Sequence, residues 1–141
     1  MNNDYTIRTI RESDYEEYKR ILLQLENTKD FNEMKFLSVL SQRSNLIKVV
    51  TEKSSKKIVA ICTLMIMYRF GDNKGYIDDF VVDEHWRCKG IGSFLLQYLV
   101  EYCISENCYC VRLASVESAL GFYTKMEFVK ASGCLLERKL I

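Results

Sequence analysis

The sequence predicts one domain over residues 1–141, of mixed α/β (α+β) class, with a central β-sheet flanked by helices on both faces. Three observations predict it. Apolar runs of strand character alternate with segments of helical spacing, in the order β-α-α-β-β-β-α-β-α-β. At 141 residues a chain buries about two thirds of its unfolded surface, enough for its own core. No repeat or linker-like stretch divides it, and it contains no proline.

Taken in order, Thr6–Ile10 reads as a strand. Ser13 followed by Glu16 reads as a capping box opening a helix. Tyr15, Tyr18, Ile21, Leu22 and Leu25 then recur at spacings of three and four. A second helix is expected over Asn32–Gln42, with Met34, Leu37 and Leu40 inward. Leu46–Glu52 and Ile58–Met67 read as strands joined by the polar turn Ser54–Lys57, a hairpin. Gly71–Gly75 reads as a turn before the strand Tyr76–Val82. Ile91–Ser105 carries Ile91, Leu95, Tyr98, Leu99, Tyr102 and Cys103 at helical spacing. A strand Tyr109–Ala114, a short helix Ser118–Lys125 and a closing strand Cys134–Leu140 complete the set.

Composition removes several functions. A net charge of +1 offers no basic excess for nucleic acid. No run reaches the ~18–20 apolar residues that span a bilayer. The first residues, Met1-Asn2-Asn3-Asp4, lack the apolar core of a secretory leader, so a cytoplasmic location is expected. The six cysteines form no C-x-x-C pair and His85 is the single histidine. Neither a metal site nor a disulfide framework is therefore expected.

The chemistry concentrates after Asp78-Asp79-Phe80-Val81-Val82, in Arg87-Cys88-Lys89-Gly90-Ile91-Gly92, directly before the long helix. The first amides of a helix lack acceptors and carry partial positive charge, which suits an anion. Gly90 and Gly92 let those amides approach phosphate oxygens, and Arg87 and Lys89 add charge. The absent third glycine disfavours a dinucleotide site, and the absent G-K-[ST] excludes a Walker A loop.

This R-x-x-G-x-G loop after a V-V strand resembles the acetyl-CoA loop of the GNAT N-acetyltransferase superfamily. Phe122-Tyr123-Thr124-Lys125-Met126-Glu127-Phe128 resembles that superfamily's F-Y-x-K-x-G-F segment, with Glu127 in place of the glycine. Within it the chain is most similar to the glucosamine-6-phosphate N-acetyltransferase family. The resemblance rests on Leu25-Glu26-Asn27-Thr28, Ile58–Leu64, Tyr76–Val82 and Asn107-Cys108-Tyr109. Ala114 stands where that family has an acidic residue, and Ala119 where it has an asparagine.

The resemblance implies direct acetyl transfer from acetyl-CoA to an amino-sugar phosphate in a ternary complex, in a homodimer, without metal. It implies that Phe80, Val81 and Val82 hold the pantetheine arm as an added strand. Arg87, Cys88, Lys89, Gly90, Ile91, Gly92 and Ser93 would hold the pyrophosphate, with Lys125 nearby. Tyr123 would donate to the leaving thiolate, and Asp78 with the Asp79 carbonyl would orient the amine. Thr28, Arg69, Lys74, Arg138 and Lys139 are the candidates for the sugar and its phosphate. From the residues alone, adjacent aspartates in a strand point to opposite faces, which leaves one as a surface charge. A different amine acceptor, or a catalytically silent acetyl-CoA-binding module, are the open alternatives.

Overall fold

The computed structural model describes residues 3–25 and 30–141. Five strands, β1 (Tyr5–Thr9), β2 (Asn45–Glu52), β3 (Ile58–Met67), β4 (Asn73–Val82) and β5 (Cys108–Arg112), form one sheet in chain order. The first four pair antiparallel and β5 runs parallel to β4. Helices α1 (Tyr15–Leu22), α2 (Glu33–Leu40), α3 (Ile91–Ser105) and α4 (Leu120–Lys125) cover the two faces. Alternation, reset in β3 by a register shift opposite Val50 and Thr51, sends Val50, Val59, Cys62 and Leu64 to the α3 side. Ile47, Val49, Ile58 and Ile61 go to the α1 side, beneath Tyr18, Ile21 and Phe36. This is the mixed sheet with helices on both faces that the pattern predicts.

Four expectations are corrected. Ser13 does not cap α1. It lies inside the short 3-10 turn Glu12–Asp14, and the Asp14 carboxylate takes the Arg11 N–H at 2.7 Å and Arg8 at 2.8 Å. Met34 and Leu37 do not face inward, being 82% and 40% exposed; Phe36, 1% exposed, is the core residue of α2. Three aromatic rings, Tyr15, Tyr18 and Phe31, gather around Phe36 and set the rotation of this helix. Gly75 is not a turn residue but lies inside β4, which starts at Asn73. A Cβ on it would sit 2.5 Å from Cys103 Sγ, so the glycine admits α3 against the sheet.

The fourth correction concerns Cys134–Leu140, which forms no strand. Leu135, Leu136 and Leu140 are 87–90% exposed. Strand formation depends on a pairing partner more than on local pattern, and this chain pairs none of its own strands with the tail.

Candidate active site

β4 and β5 pair only from Asn73↔Cys108 to Tyr76↔Arg112, with a register shift after Asn73. Beyond Tyr76 the two strands part. The side of β4 facing β5 is therefore without a strand partner from Ile77 to Val82, an edge suited to an extended ligand. Phe122 and Tyr123 of α4 form one wall of this cleft. The Phe80 ring lies 6.2 Å from that of Phe122 and 6.3 Å from that of Tyr123. Val81 is buried on the other face, in the core under α1, and Val82 packs on the α3 side.

The floor of the cleft carries an irregularity. Ile61 pairs with Val81 and Thr63 with Asp78, so Cys62 faces two residues, Asp79 and Phe80. Asp79 takes a φ of 47°, in the left-handed region where a non-glycine residue is uncommon. Such a bulge resets the alternation. Ile77 and Phe80, three apart, both pack on the α3 side. Asp78 and Asp79 both act electrostatically on Tyr18, which lies in the core on the α1 side. The bulge interrupts strict alternation at the two aspartates; Asp78 is exposed and Asp79 half-buried, so one of the pair is the surface charge that the alternation expects. Burial, and then the charge of Asp78, push the Asp79 carboxyl above its usual range. The Asp79 N–H donates to Asp78 Oδ1 at 2.9 Å.

At the far end of β4 the chain passes through a 3-10 turn, Glu84–Trp86, into the glycine loop. Arg87 Nε donates to the Val82 carbonyl at 3.2 Å. Lys89 Nζ lies 5.7 Å from the centre of the Trp86 ring. Gly90 is the N-cap of α3, with φ 80°, a conformation that glycine adopts without a Cβ clash. Ile91 is 1% exposed and anchors the helix start in the core. A Cβ on Gly92 would come 3.3 Å from Phe122, so this glycine lets α4 lie against the start of α3. Cys88 and Ser93 are exposed beside it. The structure therefore brings Phe80, Val82, the Arg87–Ser93 loop and Tyr123 around one cleft, with Lys125 at the end of α4.

Tyr123 is half-buried among Phe80, Phe122 and Phe128. Burial raises its phenol above the ordinary value, which keeps the proton on it at neutral pH. The cation candidates are more scattered. Arg69 is exposed in the β3–β4 connection, and Lys74, near the start of β4, lies over the Tyr109 ring at 5.6 Å. Arg138 and Lys139 lie in the exposed, unpaired tail. Thr28 lies outside the described residues.

The sequence reading missed two parts of this region. Tyr18, 3% exposed, was assigned to packing alone. It lies within electrostatic reach of Asp79 and of Asp78, the residue opposite Thr63 in the ladder. Asp83, 1% exposed, pairs with Arg20 at 2.6 Å. A buried carboxylate closing an apolar strand, with an arginine on a preceding helix, is the signal that could have raised it. Among the described residues no three His, Cys, Asp or Glu side chains are grouped to hold a metal ion. No helix among them is long and apolar enough to cross a membrane.

Comparison with known proteins bears on the family and the fold. Residues 6–128 match the acetyltransferase (GNAT) family. A curated relative from Trypanosoma brucei brucei, glucosamine 6-phosphate N-acetyltransferase, is 31% identical over 131 residues, covering 89% of each chain. The crystal structure of a Trypanosoma brucei acetyltransferase superposes with a TM-score of 0.84 at 30% identity, covering 97% of this chain and 100% of that one. Glucosamine-6-phosphate N-acetyltransferase from Arabidopsis thaliana superposes with a TM-score of 0.81 at 28% identity, covering 95% and 97%.

Proposed function

Because this chain belongs to the acetyltransferase (GNAT) family, whose members use acetyl-CoA, we propose that it acetylates the amine of glucosamine 6-phosphate by direct transfer in a ternary complex. The observation that carries the reading is the β4 bulge, which places Asp78 and Asp79 beside an open strand edge. The names of the relatives supply the sugar phosphate.

In this reading the open edge of β4 at Phe80–Val82 pairs with the pantetheine arm, and the Arg87–Ser93 loop takes the pyrophosphate. Asp78 and Asp79 hold the acceptor as its ammonium and draw off its proton. An amine of pKa near ~8, like the α-amino reference, needs only a weak base for this step. The neutral nitrogen forms a bond to the thioester carbon. An N–H of the bulged segment faces the resulting oxyanion. The C–S bond then breaks, the sulfur leaves with its electron pair and takes the Tyr123 proton, and the second proton lost by the nitrogen returns through solvent to restore the tyrosine. The products are coenzyme A and N-acetylglucosamine 6-phosphate, which would feed UDP-N-acetylglucosamine synthesis in the cytoplasm. Thr28, Arg69, Lys74, Arg138 and Lys139 are the proposed contacts to the sugar and its phosphate.

Assembly belongs to the same proposal. The tail exposes Val129, Leu135, Leu136 and Leu140, and β5 is an edge strand. A homodimer in which each tail reaches the partner would cover both. It would also carry the Arg138 and Lys139 of one copy toward the other.

A thiol-release assay tests the acceptor, with glucosamine 6-phosphate, glucosamine, spermidine and an amino-terminal peptide compared at equal concentration. Preference for glucosamine 6-phosphate over glucosamine is expected, since the phosphate adds binding energy. Spermidine belongs in the panel because paired carboxylates also suit a polyamine. Faster turnover with spermidine or the peptide would overturn the sugar-phosphate reading and leave the family assignment intact.

A further inference from the structure

The pyrophosphate loop does not stand alone; it rests on the last turn of α1 and the residues just past it, through one buried carboxylate. Asp83 ends β4 and is 1% exposed. Its Oδ2 accepts from Arg20 Nη1 at 2.6 Å, and its Oδ1 from Gln24 Nε2 at 3.3 Å and from the His85 N–H at 3.2 Å. The His85 ring, mostly exposed, comes within 3.4 Å of the same Oδ1. The Asp83 N–H donates to the Val59 carbonyl at 2.9 Å, and its carbonyl accepts from the Trp86 N–H at 2.8 Å.

Gln24 does a second thing. While its amide nitrogen donates to Asp83, its Oε1 accepts from the Glu84 N–H at 3.0 Å. One side chain thus brackets the peptide step at which β4 becomes loop. Arg20 adds a bond from Nη2 to the Ile58 carbonyl at 3.3 Å, which ties the same corner to β3. From this corner the chain runs through Trp86, packed edge-on against Tyr5 at 6.3 Å, to Lys89 and Gly90. Neither Arg20 nor Gln24 hydrogen-bonds any residue from Arg87 to Gly92.

We propose that Gln24 and Arg20 are positioning residues for the cofactor, which act through Asp83 and the Glu84 amide to aim the Arg87–Gly92 amides at the pyrophosphate of acetyl-CoA. The proposal rests on the reading that this loop holds the pyrophosphate. Amide donors aimed at an anion lose strength steeply as their angle departs from linear. A corner fixed on both sides of one peptide step holds that aim; a corner fixed on one side does not. The effect belongs to the nucleotide end of the cofactor, because the acyl end lies along β4 and against Tyr123.

The test is Gln24→Met, which keeps the side-chain length and removes both hydrogen bonds while leaving the Arg20–Asp83 pair. Affinities are measured by calorimetry for acetyl-CoA and for the nucleotide half of coenzyme A alone, which needs no acceptor amine. Both should weaken by the same factor, about tenfold, the scale of losing one or two hydrogen bonds. The turnover number at saturating acetyl-CoA should stay at the wild-type value, a split that general loosening of the fold would not produce. Unchanged affinity for the nucleotide half in a folded variant overturns the proposal, and so does a loss confined to turnover. If Gln24→Met does not fold, Arg20→Lys, which keeps the charge and loses the second bond to Ile58, is read the same way. Wild-type protein that binds acetyl-CoA but not the nucleotide half would instead overturn the loop assignment, and the positioning with it.

Discussion

The Tyr123→Phe variant separates chemistry from packing. The Tyr123 ring packs on Phe80, Phe122 and Phe128, with centroids 6.3, 5.1 and 5.8 Å away. Phenylalanine keeps all three contacts. Burial is the only cause acting on the phenol, so removal of the hydroxyl leaves no donor or acceptor of the described residues unpaired. The expected change in stability is within about 0.5 kcal/mol. The proposed chemistry gives the hydroxyl a role only as the thiolate leaves. Loss of one such contact lowers the rate by roughly 10- to 1,000-fold, about 1.4–4 kcal/mol of barrier. Turnover and kcat/KM should fall together in a thiol-release assay, while the melting shift induced by acetyl-CoA stays as in wild type. The sign of the pH dependence follows from the burial of Tyr123. The phenol titrates above its ordinary value of 10.0, so it remains a proton donor throughout the neutral range and gives no alkaline loss of rate there. Wild-type turnover in a folded Tyr123→Phe protein would refute the assignment. A lowered melting temperature with normal turnover would return Tyr123 to a packing role.

Three other outcomes are expected. Gly75→Ala should cost about 1–3 kcal/mol in denaturant unfolding, because its new Cβ would meet Cys103 Sγ at 2.5 Å. Most of that cost should disappear when Cys103→Ala is the background, and an additive double variant would refute the contact as the cause. Asp83 titrates at about 2, below its reference of 3.8, with burial opposing the shift and the Arg20 bond leading it down. Its stabilisation is therefore complete above that reference and lost as pH falls through about 2. Asp83→Asn should be less stable at neutral pH by about 1–3 kcal/mol and show a flatter acid limb, and an unaltered acid limb would refute the linkage. In sedimentation at micromolar concentration the full chain should run as a dimer and a chain ending at Ser132 as a monomer; a monomeric full chain would refute the assembly proposal.

The mixed sheet with helices on both faces was legible because apolar strand runs alternate with segments of helical spacing such as α3. The loop at Arg87–Gly92 was legible because glycines, cations and a helix start coincide in six residues. What was not legible depended on partners distant in sequence. The rotation of α2 is set by rings on α1 and at Phe31, so Met34 and Leu37 read as core when the local pattern alone was weighed. Gly75 looked like a turn because its use lies in Cys103, 28 residues further along α3. The tail had the composition of a strand, yet a strand is defined by its neighbour. The bulge at Asp78 and Asp79 comes with one residue at φ 47°, which no side-chain pattern announces.

The bulge bears on the missing acid at Ala114. A carboxylate in that position would lie at an exposed residue, without the burial that raises proton affinity. Asp79 is half-buried beside Asp78, and both influences raise its affinity for a proton. On the proposed chemistry this makes it the better base of the two positions, at the cost of being harder to ionise in the empty cleft. An arriving ammonium offsets that cost, since it brings the opposite charge that desolvation and Asp78 deny. Acceptor binding and ionisation of Asp79 are then linked. Affinity for the amine should weaken as pH falls below the raised pKa of Asp79, at a pH where an ordinary aspartate would still be charged. In Asp78→Asn the neighbouring charge is gone, so the same weakening should set in at lower pH. The direction of that displacement distinguishes a coupled pair from two independent surface charges.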